Sequence, residues 1–268
     1  MSPLRSALPL ALVAVLLVGC GGADAVDPSA PTTTGDPGPA LEGTLTVFAA
    51  ASLTEVVDEL AEQMQEENPG LTVRASYAGS SDLAAQLQEG APADVLATAD
   101  ERTMQAVVDA GLTAGEPAVF ATNVLTLVTP PDDPAGVASL ADAARDDVAV
   151  VVCAPQVPCG AATERVEEAA GVTLSPVSEE GSVTDVLGKV TSGEADAGLV
   201  YVTDARRAGD AVRVVDVPEA AAAVNRYPVA ALADAASPEA AAAFVDLLTG
   251  PEGQELLADA GFGPPDGP

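Results

Sequence analysis

The sequence predicts an α/β protein of two lobes, each an open, mostly parallel sheet flanked by helices. Three observations point there. Short apolar runs alternate with segments of helical period along most of the chain. The length of 268 residues accommodates one large domain or two lobes of roughly 100 residues each. Hydrophobic residues make up 48% of the chain, which excludes wholesale disorder.

The elements follow in order. Residues 44–50 are an apolar run suited to a buried strand. Ser52 to Glu55 reads as a capping box: Ser52 accepts from the N–H three residues on and Glu55 reaches back. Leu53, Val56, Val57, Leu60, Ala61 and Met64 then recur at helical spacing until Asn68-Pro69-Gly70 stops the helix. A strand is expected at 71–76, a turn at 77–81, a helix at 82–88, a strand at 93–98 and a helix at 101–110. The alternation resumes with strands at 124–128 and 148–152, separated by Pro130-Pro131 and the stretch 138–144. Helices at 160–170 and 183–191 precede strands at 197–202 and 212–217. A strand at 227–233 returns to the first lobe, and helices at 238–248 and 251–260 close it. The first lobe is thus expected at 41–122 plus 227–268, the second at 123–226. Open sheets of this kind take ligands beyond the carboxyl ends of their strands.

The first 40 residues read differently. Residues 7–18 are apolar but shorter than the ~20 residues a membrane span needs. They fit the hydrophobic region of an export signal over residues 1–19. Leu17-Val18-Gly19-Cys20 resembles a bacterial lipobox, which implies lipidation of Cys20 and anchoring to the outer face of the cytoplasmic membrane. From Cys20 to residue 40 the composition is Gly, Pro, Thr, Asp and Ala, a disordered tether. Export makes a disulfide the expected state of the other two cysteines, Cys153 and Cys159, which have neither redox spacing nor zinc-site partners.

Composition narrows the chemistry. Forty-one acidic residues against ten basic ones give a formal charge of −31, which repels nucleic acid. The absence of His excludes His-based acid–base catalysis, Ser-His-Asp triads and His-ligated metals. Four Phe, three Tyr and no Trp leave little for aromatic sugar platforms. Four segments nevertheless share one design of strand, small-residue turn and helix start: 50–52, 79–81, 157–160 and 181–183. Each helix start presents unpaired N–H groups and the positive end of a dipole. Several aimed at one point hold an anion without any cation.

The segments FAAASLTEVVDEL (48–60), YAGSSDLAAQLQEGAPADVLATAD (77–100), VPCG (157–160) and EADAGLVYVTDA (194–205) resemble the molybdate-binding proteins of ABC transporters. The resemblance runs from about Thr44 to Phe262. It implies a type II periplasmic-binding-protein fold with a tetrahedral oxyanion, molybdate or tungstate, held in the cleft between lobes. It further implies donors carried over by position. Ser52 and Ser80 would give hydroxyl and backbone N–H groups, Cys159 and Val183 backbone N–H groups, and Tyr201 its phenol. A shift of one residue around 153–160 would move the third donor to Gly160. Molybdenum would enter only as the bound oxyanion, with no cofactor and no catalysis. The partner would be the transporter's permease, and the chain a monomer.

Other readings remain beside this one. Asp94, Asp100 and Asp204 lie near strand ends, where they would serve as caps, interlobe contacts, catalytic carboxylates or cation ligands. Tyr77 is expected in a wall, Tyr227 at a crossover between lobes, and Arg206-Arg207 as a solvated pair or a transporter contact. Lys189, the chain's single lysine, has no S-x-x-K motif. Sulfate as ligand, a secreted carboxylate-based hydrolase and a purely structural surface lipoprotein are the competing functions.

Overall fold

The computed structural model describes residues 40–267. The export signal, Cys20 and the tether up to residue 39 lie outside them. The strands are β1 (Glu42–Ala50), β2 (Gly70–Ala78), β3 (Val95–Ala97), β4 (Ala118–Asn123), β5 (Leu125–Thr129), β6 (Val150–Cys153), β7 (Ser178–Glu180), β8 (Ala197–Tyr201), β9 (Arg213–Val215) and β10 (Asn225–Ala231). They form two five-stranded sheets, ordered β2-β1-β3-β10-β4 and β7-β6-β8-β5-β9.

Each sheet holds one strand against the grain. β10 runs antiparallel to both β3 and β4, and β5 antiparallel to both β8 and β9. These are the strands through which the chain enters a sheet from the other one. The remaining strands end on the side where the sheets face each other. A strand arriving from that side runs away from it, so the crossing itself imposes the reversal. β4 passes into β5 at Asn123–Val124, and β10 begins opposite that point, with Asn225 in register with Asn123.

The helices are α1 (Thr54–Glu67), α2 (Ser80–Gln88), α3 (Glu101–Asp109), α4 (Leu140–Ala143), α5 (Pro158–Ala170), α6 (Val183–Thr191), α7 (Val202–Ala208), α8 (Pro238–Thr249) and α9 (Pro251–Ala260). The stripe expected on α1 is buried: Val56, Val57, Leu60, Ala61 and Met64 all face the core. Burial of a side chain such as Leu60 contributes about 1.5–3 kcal/mol.

The capping box is a correction. A 3₁₀ turn begins at Ala51 and continues into α1, so Ser52 lies inside the first turn rather than before it. The Ser52 side chain caps nothing; Thr54 Oγ1 donates to the Ala51 carbonyl at 2.8 Å instead. α2 starts at Ser80, inside the expected turn. β4, β7, α4 and α7 were not foreseen. β7 is three residues of Ser and Glu without an apolar pattern, and α7 follows β8 with no break, Tyr201 being both last strand residue and N-cap.

Candidate functional site

Four helical starts meet where the sheets face each other. β1 runs directly into the turn at Ala51, β2 into α2 through Gly79, β6 into α5 through the Cys153–Cys159 disulfide loop, and β7 into α6 through Gly181-Ser182. The first two belong to the first sheet and the last two to the second. Contacts across the gap bring them together. Ser81 Oγ and Arg102 Nη2, on α2 and α3, both donate to the Gln156 carbonyl in the disulfide loop, at 2.8 and 2.9 Å. Gly79 stands against the Gly181 carbonyl, and α6 packs on the turn at Ala51.

Ser52 is buried and its Oγ lies 3.0 Å from the Tyr227 hydroxyl. Ser80 is buried at the start of α2, where its Oγ accepts from the Ala99 N–H at 3.0 Å, which leaves the Ser80 O–H free to donate. Cys159 has its sulfur in the disulfide, so only its backbone N–H is available. It sits in the first turn of α5 after Pro158, which has no N–H to give. Gly160 packs so tightly that a Cβ would lie 1.9 Å from the Ala154 carbonyl oxygen. Val183 opens α6 behind Ser182, whose Oγ accepts from the Asp185 N–H. Tyr201 ends β8, and its Oη accepts from Asn225 Nδ2 at 2.7 Å. First-turn N–H groups have no carbonyl one turn back to bond, so the N–H groups at the four starts have no partner within their own helices, and the hydroxyls of Ser52, Ser80 and Tyr201 are buried beside them.

Residues outside the expected set tie the site together. Tyr227 is at the crossover, as anticipated, but it also holds Ser52. Its ring packs edge-on against Phe120, Tyr201 and Phe262, with centroids 6.3, 5.9 and 5.4 Å away. The site's aromatic residues are thus a buried pillar and not a platform for sugars. Asn225 was missed entirely. It is buried, and besides Tyr201 its Nδ2 donates at 2.8 Å to the carbonyl of Ala99, two residues past the end of β3. Asn123, its register partner, donates to Thr203 Oγ1 at 2.9 Å. One signal was available: Asn is disfavoured in strands, yet both flank apolar strand sequences.

The electrostatics suit donors that stay neutral. Burial raises the hydroxyls of Tyr201 and Tyr227 above the usual tyrosine range. Burial also pushes the Asp204 carboxyl up to about 6, against the pull of Arg207 at 3.0 Å. Of the other carboxylates, Asp100 caps α3 through the Thr103 N–H, and Asp94 clasps the N–H groups of Thr46 and Ser237. Among the described residues no group of three or more His, Cys, Asp or Glu side chains is placed to hold a metal ion. Arg207 is paired with Asp204 rather than free in solvent, while Arg206 lies over Gly261. Lys189 pairs with Glu180 and Glu194, and Tyr77 donates to Asp58.

Residues 45–263 match the family model described as bacterial extracellular solute-binding protein. The molybdate-binding protein ModA of Mycobacterium tuberculosis is 45% identical, over 98% of each chain. That of Escherichia coli is 33% identical, covering 82% of this chain and 89% of its own. Among solved structures, the periplasmic molybdate-binding protein of Azotobacter vinelandii superposes with a TM-score of 0.71 at 21% identity, over 81% of this chain and 98% of that one, and so shares the fold.

Proposed function

The chain belongs to the bacterial extracellular solute-binding proteins, in the family of the molybdate-binding proteins, and on that premise we propose that it captures molybdate or tungstate and delivers it to an ABC transporter permease. The observation that carries the reading is the meeting of helix starts from both sheets around a set of neutral donors. Ser52 and Ser80 supply hydroxyl and N–H groups, Cys159 and Val183 their N–H groups, and Tyr201 its phenol.

The chemistry follows from this donor set. Molybdate is a tetrahedral dianion at neutral pH. Fixed dipoles stay aimed at it once water is excluded, and each charge-assisted bond contributes on the order of 1.5–3 kcal/mol net. Sulfate is smaller and cannot reach all donors at once. Phosphate keeps a proton at neutral pH, and a site made of donors leaves that proton without an acceptor. The two lobes, 41–122 plus 227–268 and 123–226, close over the ion, and Cys20 anchors the assembly to the membrane by its lipid.

Thermal melts and calorimetry with molybdate, tungstate, sulfate and phosphate test the reading. A ligand at 100 times its Kd adds about 2.7 kcal/mol to stability, so molybdate and tungstate are expected to raise Tm clearly. Absence of any shift would overturn the assignment, and equal affinity for sulfate would overturn selection by size. Replacement of Cys20 by Ala is expected to release the protein from membranes into the medium; retention would overturn the lipid anchor.

A further inference from the structure

Asn225, on β10 of the first sheet, has a side chain that bonds a proposed ligand donor on the second sheet. Its Nδ2 donates to Tyr201 Oη at 2.7 Å and to the Ala99 carbonyl at 2.8 Å, with the Pro158 carbonyl more distant at 3.4 Å. Its Oδ1 accepts from Arg165 Nη2 at 2.7 Å. Chemistry allows this amide only one orientation. Arg165 has no acceptor and the Ala99 carbonyl no donor, so turning the amide over would set nitrogen against nitrogen and oxygen against oxygen. Arg165 has no carboxylate within ion-pair distance among the described residues, although the chain carries 41 acidic residues. Its guanidinium is directed to Asn225 instead.

The consequence falls on Tyr201. Its oxygen already accepts a hydrogen from Asn225, and burial keeps the phenol protonated at neutral pH. The hydroxyl's single hydrogen therefore points away from Asn225, on the side where the Tyr227 hydroxyl is its partner until a ligand oxygen takes that place. We infer that Asn225, oriented by Arg165 and the Ala99 carbonyl, is the positioning residue that makes Tyr201 an obligate donor and so selects fully deprotonated oxyanions over those that keep a proton. The inference rests on the oxyanion reading of the site and explains how a hydroxyl, which can give or accept, is held to giving. An unrestrained Tyr201 would rotate and accept the proton of hydrogen phosphate.

The test compares Asn225→Leu, Tyr201→Phe and the double variant in the full chain, by calorimetry with molybdate and with inorganic phosphate near pH 7. Each single variant is expected to lose roughly tenfold to a hundredfold in molybdate affinity. The double variant is expected to be no worse than Tyr201→Phe, because Asn225 acts through Tyr201. Asn225→Leu should also narrow the preference for molybdate over phosphate, whereas Tyr201→Phe, which creates no acceptor, should narrow it less. Arg165→Met changes an exposed position, keeps the fold out of question and is expected to move the same preference in the same direction by a smaller factor. Additive losses in the double variant, or an unchanged preference in both Asn225→Leu and Arg165→Met, would overturn the proposal while molybdate binding by the wild type stands. Failure of the wild type to bind any oxyanion would overturn the site reading and this proposal with it.

Discussion

Gly79 and Gly181 meet across the gap between the two sheets, so closely that a Cβ on Gly79 would stand 2.2 Å from the Gly181 carbonyl oxygen. Gly79 has a φ of −58°, which any residue adopts, so glycine is required there for space alone. Gly79→Ala should therefore fold normally yet be unable to bring the α2 and α6 starts to this distance. Molybdate affinity is expected to fall by tenfold or more while stability without ligand stays within about 1 kcal/mol of wild type. Small-angle scattering would show a more open particle. Wild-type affinity in this variant would mean that the contact is not part of the bound state.

The 3.0 Å pairing of Ser52 with Tyr227 gives a second expectation. Tyr227→Phe removes one buried hydrogen bond and should cost about 1 kcal/mol of stability. Ser52→Ala strands the Tyr227 hydroxyl and also removes a proposed ligand donor. Its affinity loss should exceed that of Tyr227→Phe, which leaves both Ser52 donors in place. Equal losses in the two variants would argue that Ser52 serves only the core.

Asp204 should make stability fall as pH rises. Its carboxyl titrates near 6 in the folded chain against an ordinary value of 3.8, because burial opposes its charge more than Arg207 supports it. Between those values the folded chain keeps a proton that the unfolded chain has lost. The contribution is full below 3.8 and gone above 6, and a difference of this size corresponds to about 3 kcal/mol. One carboxylate oxygen also lacks a hydrogen-bond partner. Asp204→Asn should gain relative to wild type as pH is raised from 4 to 7. Parallel stability curves for the two proteins across that range would contradict this.

The Cys153–Cys159 bridge closes a short loop at the start of α5. Its removal by paired alanine substitutions should cost about 2 kcal/mol through the freer unfolded chain. The loop also carries Gln156, which receives Ser81 and Arg102 from the other sheet. Molybdate affinity is therefore expected to weaken a few-fold as well. A stability loss with unchanged affinity would make the bridge a stabilising device only.

Much of the frame was legible from local pattern. α6 and α9 have the bounds read from the sequence, and the α1 stripe is buried as its spacing implied. The misreadings were local ambiguities that long-range partners resolve. Ser52 followed by Glu55 satisfies a capping box, but Tyr227, 175 residues away, holds the serine hydroxyl. β7 has no apolar alternation because β6 alone supplies its pairing. Asp94, for which a capping role is the leading sequence reading, has both of its oxygens occupied by the N–H groups of Thr46 and Ser237.

By itself the sequence determined the α/β alternation, the four small-residue helix starts and a composition poor in cations, because periodicity, turn residues and composition act over a few neighbouring positions. The tertiary structure decided which of those starts face one another, that both crossing strands run against their sheets, and that Asn225 donates to Tyr201. Those outcomes depend on groups brought together from far apart in the chain, as when Arg165 meets Asn225 across 60 residues. A hydroxyl both gives and accepts, so the direction of its hydrogen bond depends on its partner and cannot be read from the hydroxyl alone.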